Sequence, residues 1–473
     1  MALIDSGDLA FDTRHGSMQA QLFHAIRDKV VHNLWPTGGK LPSTRQLAQE
    51  LRVSRNTVIA AYEQLVAEGY IESRPGAGFY VAVELPEFFL PAQRAPESVT
   101  PIDPALGVNR PFAPGVPDLA QFPLAKWQRL LQRHASRTTI LGNHIIQGRL
   151  ELRTALADYL ASSRSVHCDA GRIIITSGAQ QALSIAIMAT LSAADTLLME
   201  QPGYSQMRKI NTLLGIHQQP VAVVEKTGLD VSAVLKSDAR ALYITPSNQY
   251  PMGTTLNTAQ RLSLIEWAAS RQSWIIEDDY DSEFQFAHRP FTSLQGLAGQ
   301  MGMDERVLYV GSFSKVMFNG LRLGYLVVPD CLVERCLMIK DALSGDSPAH
   351  TQAALADFIV EGDLLRHIRK MRRLYKSKHA AMCEAIACYF ADKVEIISQA
   401  AGLHITIKWQ QGIDEVSWAQ RAEQKGIIIR PLGFYEPATA PFRGWHGVVL
   451  GFGNVALEDI APKIRILAEL FHD

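Results

Sequence analysis

The sequence predicts a multidomain chain. A small, mainly α N-terminal unit of winged helix-turn-helix type is followed by a large α/β unit on a mostly parallel sheet. Three observations carry this reading. Residues 18–81 hold three stretches of helical apolar spacing and then two short strand-like runs around a Pro-Gly pair. From about residue 118, short apolar runs alternate with amphipathic stretches, as in strands joined through crossover helices. Between the two lies a proline-studded stretch with no periodicity. The boundaries read 1–83, 84–117 and 118–473, and the last part divides near residue 330 into a larger and a smaller portion.

Composition sets the frame. The chain has 473 residues, 47% hydrophobic and 20% charged, which is ordinary for a globular protein. No apolar run is long enough to span a bilayer, and the N-terminus lacks the charged start and apolar core of a secretion signal. Five cysteines without CxxC spacing read as reduced thiols of a cytoplasmic protein, with no metal site. The net charge of -1 gives no global attraction to polyanions, so nucleic-acid binding requires a local patch.

In the first unit, Leu22, Ile26, Val30, Val31 and Leu34 share a helical face. A second helix starts at Pro42 with Ser43 or Thr44, and a third has Ser54 as N-cap and Gly69 as its stop. Tyr70–Val81 reads as a hairpin with Pro75-Gly76 at the tip. If this is a winged helix, the start of the third helix enters the major groove. Arg55, Asn56 and Thr57 lie there, and Arg and Asn suit guanine and adenine edges. Arg45 and Lys40 suit phosphates, and Arg74 on the wing suits backbone or minor groove. Spacing alone leaves a small protein-interaction domain equally open. The prolines at 86, 91, 96, 101, 104, 111, 114 and 117 make the next stretch a semi-rigid tether.

In the large unit, strands are expected at Arg172–Thr176, Thr196–Glu200, Ala241–Thr245, Ser273–Glu277, Arg306–Gly311 and Leu323–Val328. Helices are expected at Ile146–Leu160, from Ser177 through Ala189, and at Thr258–Arg271. The smaller portion reads as a long helix Asp363–Phe390, two strands and a closing helix Leu457–Phe471. Polar clusters follow the strands, where such sheets bind ligands. Lys315, in a turn between two apolar strands, would be partly desolvated, which favours the neutral amine that attacks aldehydes. Ser177-Gly178-Ala179 at a helix start, with Ser312, Ser314 and Arg322, suits a phosphate. Asp278 could hold a ring nitrogen protonated, Tyr280 could bond a ring oxygen, and Tyr204 could stack on a flat ring. Those are the groups that pyridoxal 5'-phosphate (PLP) requires.

Leu41–Val81, LPSTRQLAQELRVSRNTVIAAYEQLVAEGYIESRPGAGFYV, resembles the GntR DNA-binding domain throughout. The resemblance implies DNA contacts from Arg45, Arg55, Asn56, Thr57 and Gly76. From about residue 112 the motifs TSGAQQAL, QPGY, YITPSNQYPMG, EDDYDSEF and GSFSK…RLGY resemble a fold-type I aminotransferase. Together the chain resembles a MocR-type regulator. That resemblance makes Lys315 the Schiff-base lysine, Asp278 the pyridinium partner, Tyr280 the ring-hydroxyl partner and Tyr204 the stacking residue. It assigns Ser177, Gly178, Ala179, Ser312, Ser314 and Arg322 to the phosphate. It also implies a homodimer, with the DNA-binding domain passed to the partner subunit.

Three departures stand out. Asn248 replaces the usual His of the PSHQ motif, at a position counted here with the cofactor. Tyr250 stands where aminotransferases have a ring-binding Asn. The usual carboxylate-binding arginine is missing, with Arg430 and Arg443 as nearest substitutes, and Arg430 is the residue expected to take an effector carboxylate. The expectation is a PLP-dependent transcriptional regulator that binds double-stranded DNA and senses a small amine, an amino acid or PLP itself. Efficient transaminase turnover is expected to be lost. The alternative is a working aminotransferase with an accessory DNA-binding domain.

Overall fold

The computed structural model describes residues 17–32, 34–82, 109–286 and 291–472. The chain divides into two compact units, Met1–Ile102 and Asp103–Asp473.

In the small unit, α1 (Met18–Val31), α2 (Thr44–Glu50) and α3 (Arg55–Ala67) are followed by a hairpin of β1 (Ile71–Arg74) and β2 (Gly78–Val81). Ser17, Ser43 and Ser54 each accept the backbone N–H three residues on, which satisfies a donor that each helix start leaves open. Leu22, Ile26, Leu47, Val58, Tyr62 and Leu65 meet in one core. The Tyr62 hydroxyl donates to the Pro42 carbonyl at 3.0 Å, tying the third helix to the entry of the second. Leu34 falls outside its expected helix. The helix ends at Val31, the Leu34 N–H turns back to the Lys29 carbonyl, and the side chain is 63% exposed.

The large unit is built on an eight-stranded sheet. Its strands are β3 (Ile173–Thr176), β4 (Thr196–Gln201), β5 (His217–Val224), β6 (Gly228–Leu229), β7 (Ala241–Ile244), β8 (Trp274–Asp279), β9 (Val307–Ser312) and β10 (Gly324–Val327). Their order is β3-β10-β9-β8-β7-β4-β5-β6. The central strands are parallel, while β10 runs antiparallel between β3 and β9. This inversion brings the start of β10, and Arg322 before it, to the edge where β3 and β9 end. Gly324, opposite both Thr176 and Ser312, has no room for a side chain: a Cβ would lie 2.9 Å from the Gly178 and Gly311 backbones.

The helices of the large unit include α4 (Leu124–Ala135), α5 (Leu150–Arg164), α6 (Ala179–Thr190), α7 (Ser205–Leu213), α8 (Val231–Leu235), α9 (Thr258–Arg271), α10 (Leu294–Gln300), α11 (Asp330–Ser344), α12 (Ala349–Val360) and α13 (Asp363–Phe390). A four-stranded antiparallel sheet follows, with β11 (Glu395–Ile396), β12 (His404–Trp409), β13 (Arg430–Pro431) and β14 (His446–Gly451), flanked by α14 (Glu415–Gln424) and α15 (Ile460–His472). The helix expected at Ile146–Leu160 begins four residues later, at Leu150. Gly148 is at a φ of +101°, so the preceding residues form a turn whose Gln147 carbonyl accepts the Ile175 N–H.

The end of the proline-rich stretch is not a free tether. Phe112, Ala113 and Val116 are buried, and the Phe112 carbonyl accepts the Gly451 N–H at 2.8 Å. An apolar Phe-Ala pair finds a place against β14, so residues 109–117 fold with the large unit. The prolines at 86, 91, 96, 101 and 104 lie outside the described residues. Among the described residues, no helix is long and apolar enough to cross a membrane.

Candidate functional site

The carboxyl ends of β3, β4, β7, β8 and β9 open onto a cavity of about 330 Å³. Lys315 projects into it from the turn after β9, where Phe313, Val316 and Met317 are buried on either side and fix the backbone. Its Nζ donates to the Gly115 carbonyl. Burial pulls the ammonium pKa down to about 8, opposed by the nearby Asp281 and Asp278 carboxylates.

The three carboxylates that end β8 go to different partners, because strand side chains alternate between faces. Glu277 accepts the Leu294 and Gln295 N–H groups, both at 2.8 Å. Asp279 pairs with buried Arg164 at 2.6 Å. Asp278 faces the cavity. Its Oδ2 accepts from Tyr243 at 2.8 Å, and its Oδ1 is buried without a hydrogen-bond partner. Burial raises its pKa to about 7, against the Tyr243 hydrogen bond.

Ser312 and Ser314 line the opposite part, their hydroxyls 3.0 Å apart. Beside them lie Arg322 and the first residues of α6, Ala179 and Gln180. Three of the residues expected at the cofactor, and the arginine expected at an effector carboxylate, do not line the cavity. The Ser177 N–H is taken by Gln181 at 2.7 Å and its carbonyl by Arg322 at 3.1 Å. Gly178 supplies the N-cap of α6 at a φ of +86°, where a Cβ would approach Arg322 to 3.3 Å. Asn248 does not line the cavity; its Nδ2 turns to both oxygens of Asp281, at 3.0 and 3.1 Å. It backs the site through Asp281. Arg430 does not line it either: its guanidinium stacks 4.8 Å from the Phe434 ring centre, although its charge reaches Tyr250 and Tyr435. Arg443 is held by Glu415 and Glu436.

Tyr204 and Tyr280 both line the cavity, and the Tyr280 hydroxyl donates to the Asn248 carbonyl at 2.9 Å. Tyr250 lies between them, edge-on to each, with its hydroxyl 2.7 Å from that of Tyr435. His404 completes this wall. Burial lowers its pKa to about 4, so it is neutral at pH 7.

In the small unit, Arg55 and Asn56 are exposed on the first turn of α3, and Arg45 is exposed on α2. The Thr57 hydroxyl is occupied at 2.8 Å by the Ser54 cap. Gly76 sits at the wing tip with a φ of +74°. Arg74 is not a free wing cation. It pairs with Glu72 and stacks 4.4 Å from the Tyr80 ring centre, since residues two apart on a strand share a face. Lys40 stands 5.9 Å from the same ring.

Residues 112–443 match the family of class I and II aminotransferases, and residues 18–81 match the bacterial regulatory proteins of the gntR family. A probable rhizopine catabolism regulatory protein, MocR, of Rhizobium meliloti is 33% identical over 96% of this chain and 94% of its own length. The chain belongs to the MocR-type subfamily of GntR transcriptional regulators. Another relative is the pyridoxine biosynthesis regulator PdxR of Corynebacterium glutamicum, 30% identical over 93% of this chain and 92% of its own. Among solved structures, a Pyrococcus horikoshii kynurenine aminotransferase in complex with PMP covers 76% of this chain and 90% of its own, with a TM-score of 0.69 and 25% identity. The Thermus thermophilus aminotransferase LysN shares the fold at a TM-score of 0.70 and 24% identity, over 77% of this chain and 92% of its own.

Sequence reasoning missed several cavity residues of this MocR-type chain. Asp281 was in view inside EDDYDSEF, three residues past Asp278. Tyr243 could have been found by strand alternation two residues before Thr245. His404 and Gly115 carry no local signal, since both reach the site through long-range packing.

Proposed function

We propose that this regulator holds PLP in the cavity at the end of the large sheet, and that a small amine, an amino acid or PLP itself is the signal it senses. The observation that carries the reading is the buried, unpartnered Asp278 Oδ1 facing the same cavity as the Lys315 amine. Such an oxygen fits a ring N–H, and an unpaired buried acceptor would otherwise cost about 1–3 kcal/mol. Ser312, Ser314, Arg322 and the start of α6 would hold the phosphate, and Tyr204 would flank the ring. Bound there, PLP supplies an aldehyde that attaches primary amines reversibly. The chain's own part is to keep Lys315 partly neutral, to hold Asp278 in line through Tyr243, and to exclude water behind Tyr250 and His404.

Arg55 and Asn56 are the residues we assign to base contacts and Arg45 to phosphate. Two copies would read two half-sites, as a homodimer in which the DNA-binding domain passes to the partner subunit. Occupancy of the cavity would bias the large unit between two forms and so alter DNA binding. Replacing Lys315 by Ala should abolish the visible absorbance of the purified protein. A Lys315→Ala protein with the wild-type spectrum overturns the cofactor assignment. Prolonged incubation with amino acids and a keto acid should give no more than a few turnovers. Many turnovers would favour the enzyme reading instead.

A further inference from the structure

The long helix α13 carries an unusual run. Between Asp363 and Glu384 it has no acidic residue but holds Arg366, Arg369, Lys370, Arg372, Arg373, Lys376 and Lys378. Its buried face is Leu364, His367, Ile368, Met371, Tyr375 and Lys378. Lys378 is neutralised by Asp118 at 2.8 Å, and Arg372 donates to the Glu283 carbonyl at 2.7 Å. The other cations are exposed. Arg366 pairs with Asp363 at 2.6 Å, and Lys370 reaches the Gln121 carbonyl at 3.4 Å. Arg369, Arg373 and Lys376 have no ion pair among the described residues.

Local stability does not explain this stripe. Arg366 with Lys370 and Arg369 with Arg373 are like charges four apart, an arrangement that disfavours a helix. Arg366, in the first turn, is held there by Asp363 and by the Glu361 carbonyl at 2.8 Å, so the cations left unexplained are Arg369, Arg373 and Lys376. A polyanion accounts for them. Arg369 to Lys376 spans about 10 Å at 1.5 Å per residue. One strand of a duplex places a phosphate about every 3.4 Å of its axis, so about three phosphates match the stripe. The net charge of -1 means that the attraction is local to this face. The winged helix on the same chain, which our proposed reading has bound to DNA, would keep a duplex at high effective concentration.

We propose that the exposed face of α13 is a second DNA contact, binding duplex phosphates without reading sequence. The inference rests on the DNA-binding reading of the small unit. The test uses the full-length protein and a random-sequence 30-base-pair duplex, with affinity measured from 50 to 200 mM salt. Arg369→Gln, Arg373→Gln and Lys376→Gln together should lower the salt slope by about 2–3, since each lost phosphate contact removes about 0.9. Over that salt range the wild type would then weaken some 40-fold more than the variant, on the order expected for three contacts. The charge-preserving Arg369→Lys/Arg373→Lys variant should keep the wild-type slope. Unchanged far-UV circular dichroism checks the fold. A triple variant with the wild-type slope and affinity overturns the inference alone, while Arg55→Ala still reports on the winged helix. A wild-type chain that binds no duplex overturns both readings. Stripe-dependent binding to anionic phospholipid vesicles with no change on the duplex also overturns this one.

Discussion

Lys315 is buried to the point that its ammonium loses a proton near pH 8 rather than at the ordinary 10.5. Only the neutral amine attacks an aldehyde. The rate at which cofactor-free protein takes up PLP should therefore rise with pH and level off just above 8, followed as visible absorbance after rapid mixing. An unperturbed lysine would keep gaining about tenfold per pH unit well beyond that. Gly402 supports the same site from behind. At a φ of +68° its Cβ would stand 2.3 Å from both Asn248 Nδ2 and Asp281 Oδ2. Gly402→Ala should push Asp281 off its partner and weaken PLP binding at least tenfold, read by equilibrium titration. Residues at this scale were legible where chemistry is written locally: Lys315, Asp278, Ser312, Ser314 and Arg322 all reach the cavity. Asn248 and Ser177 are legible as motif members, yet their hydrogen bonds are spent on Asp281, Gln181 and Arg322. A one-dimensional motif does not say which way a side chain or amide faces.

The elements were legible where apolar period and capping agree. Ser54 opens α3 by accepting the Thr57 N–H at 3.1 Å, so the turn that presents Arg55 and Asn56 depends on it. Ser54→Ala should cost about 1 kcal/mol and lower the melting temperature of the small unit by about 4–8 °C. Ser54→Gly should cost only a few tenths of that, because glycine is itself a fair N-cap. Calorimetry on the two variants separates the cap from general damage. The helices α4 and α7 are not legible in the sequence because Pro123 and Tyr204 stand at their N-cap positions, where neither side chain makes a cap hydrogen bond. The antiparallel β10 is invisible to any pattern, since a buried apolar run reads the same in both directions. Yet that inversion is what carries Arg322 to the ligand edge.

At the scale of the molecule, two units with separate cores should unfold separately. Adding PLP at about 100 times its dissociation constant should stabilise only the transition of the large unit, by about 2.7 kcal/mol. A single transition that shifts as a whole would contradict the two-unit description. The two-unit plan was legible from composition, but its inner boundary was not. Pro111, Pro114 and Pro117 look like more of the tether, and only the burial of Phe112 and Val116 against the large unit shows otherwise. That boundary has a mechanical meaning. The carbonyl that Lys315 grips belongs to Gly115, on the segment that Phe112 and Val116 anchor in the large unit. Whatever takes up the Lys315 amine must therefore loosen its hold on the seat of this entry segment.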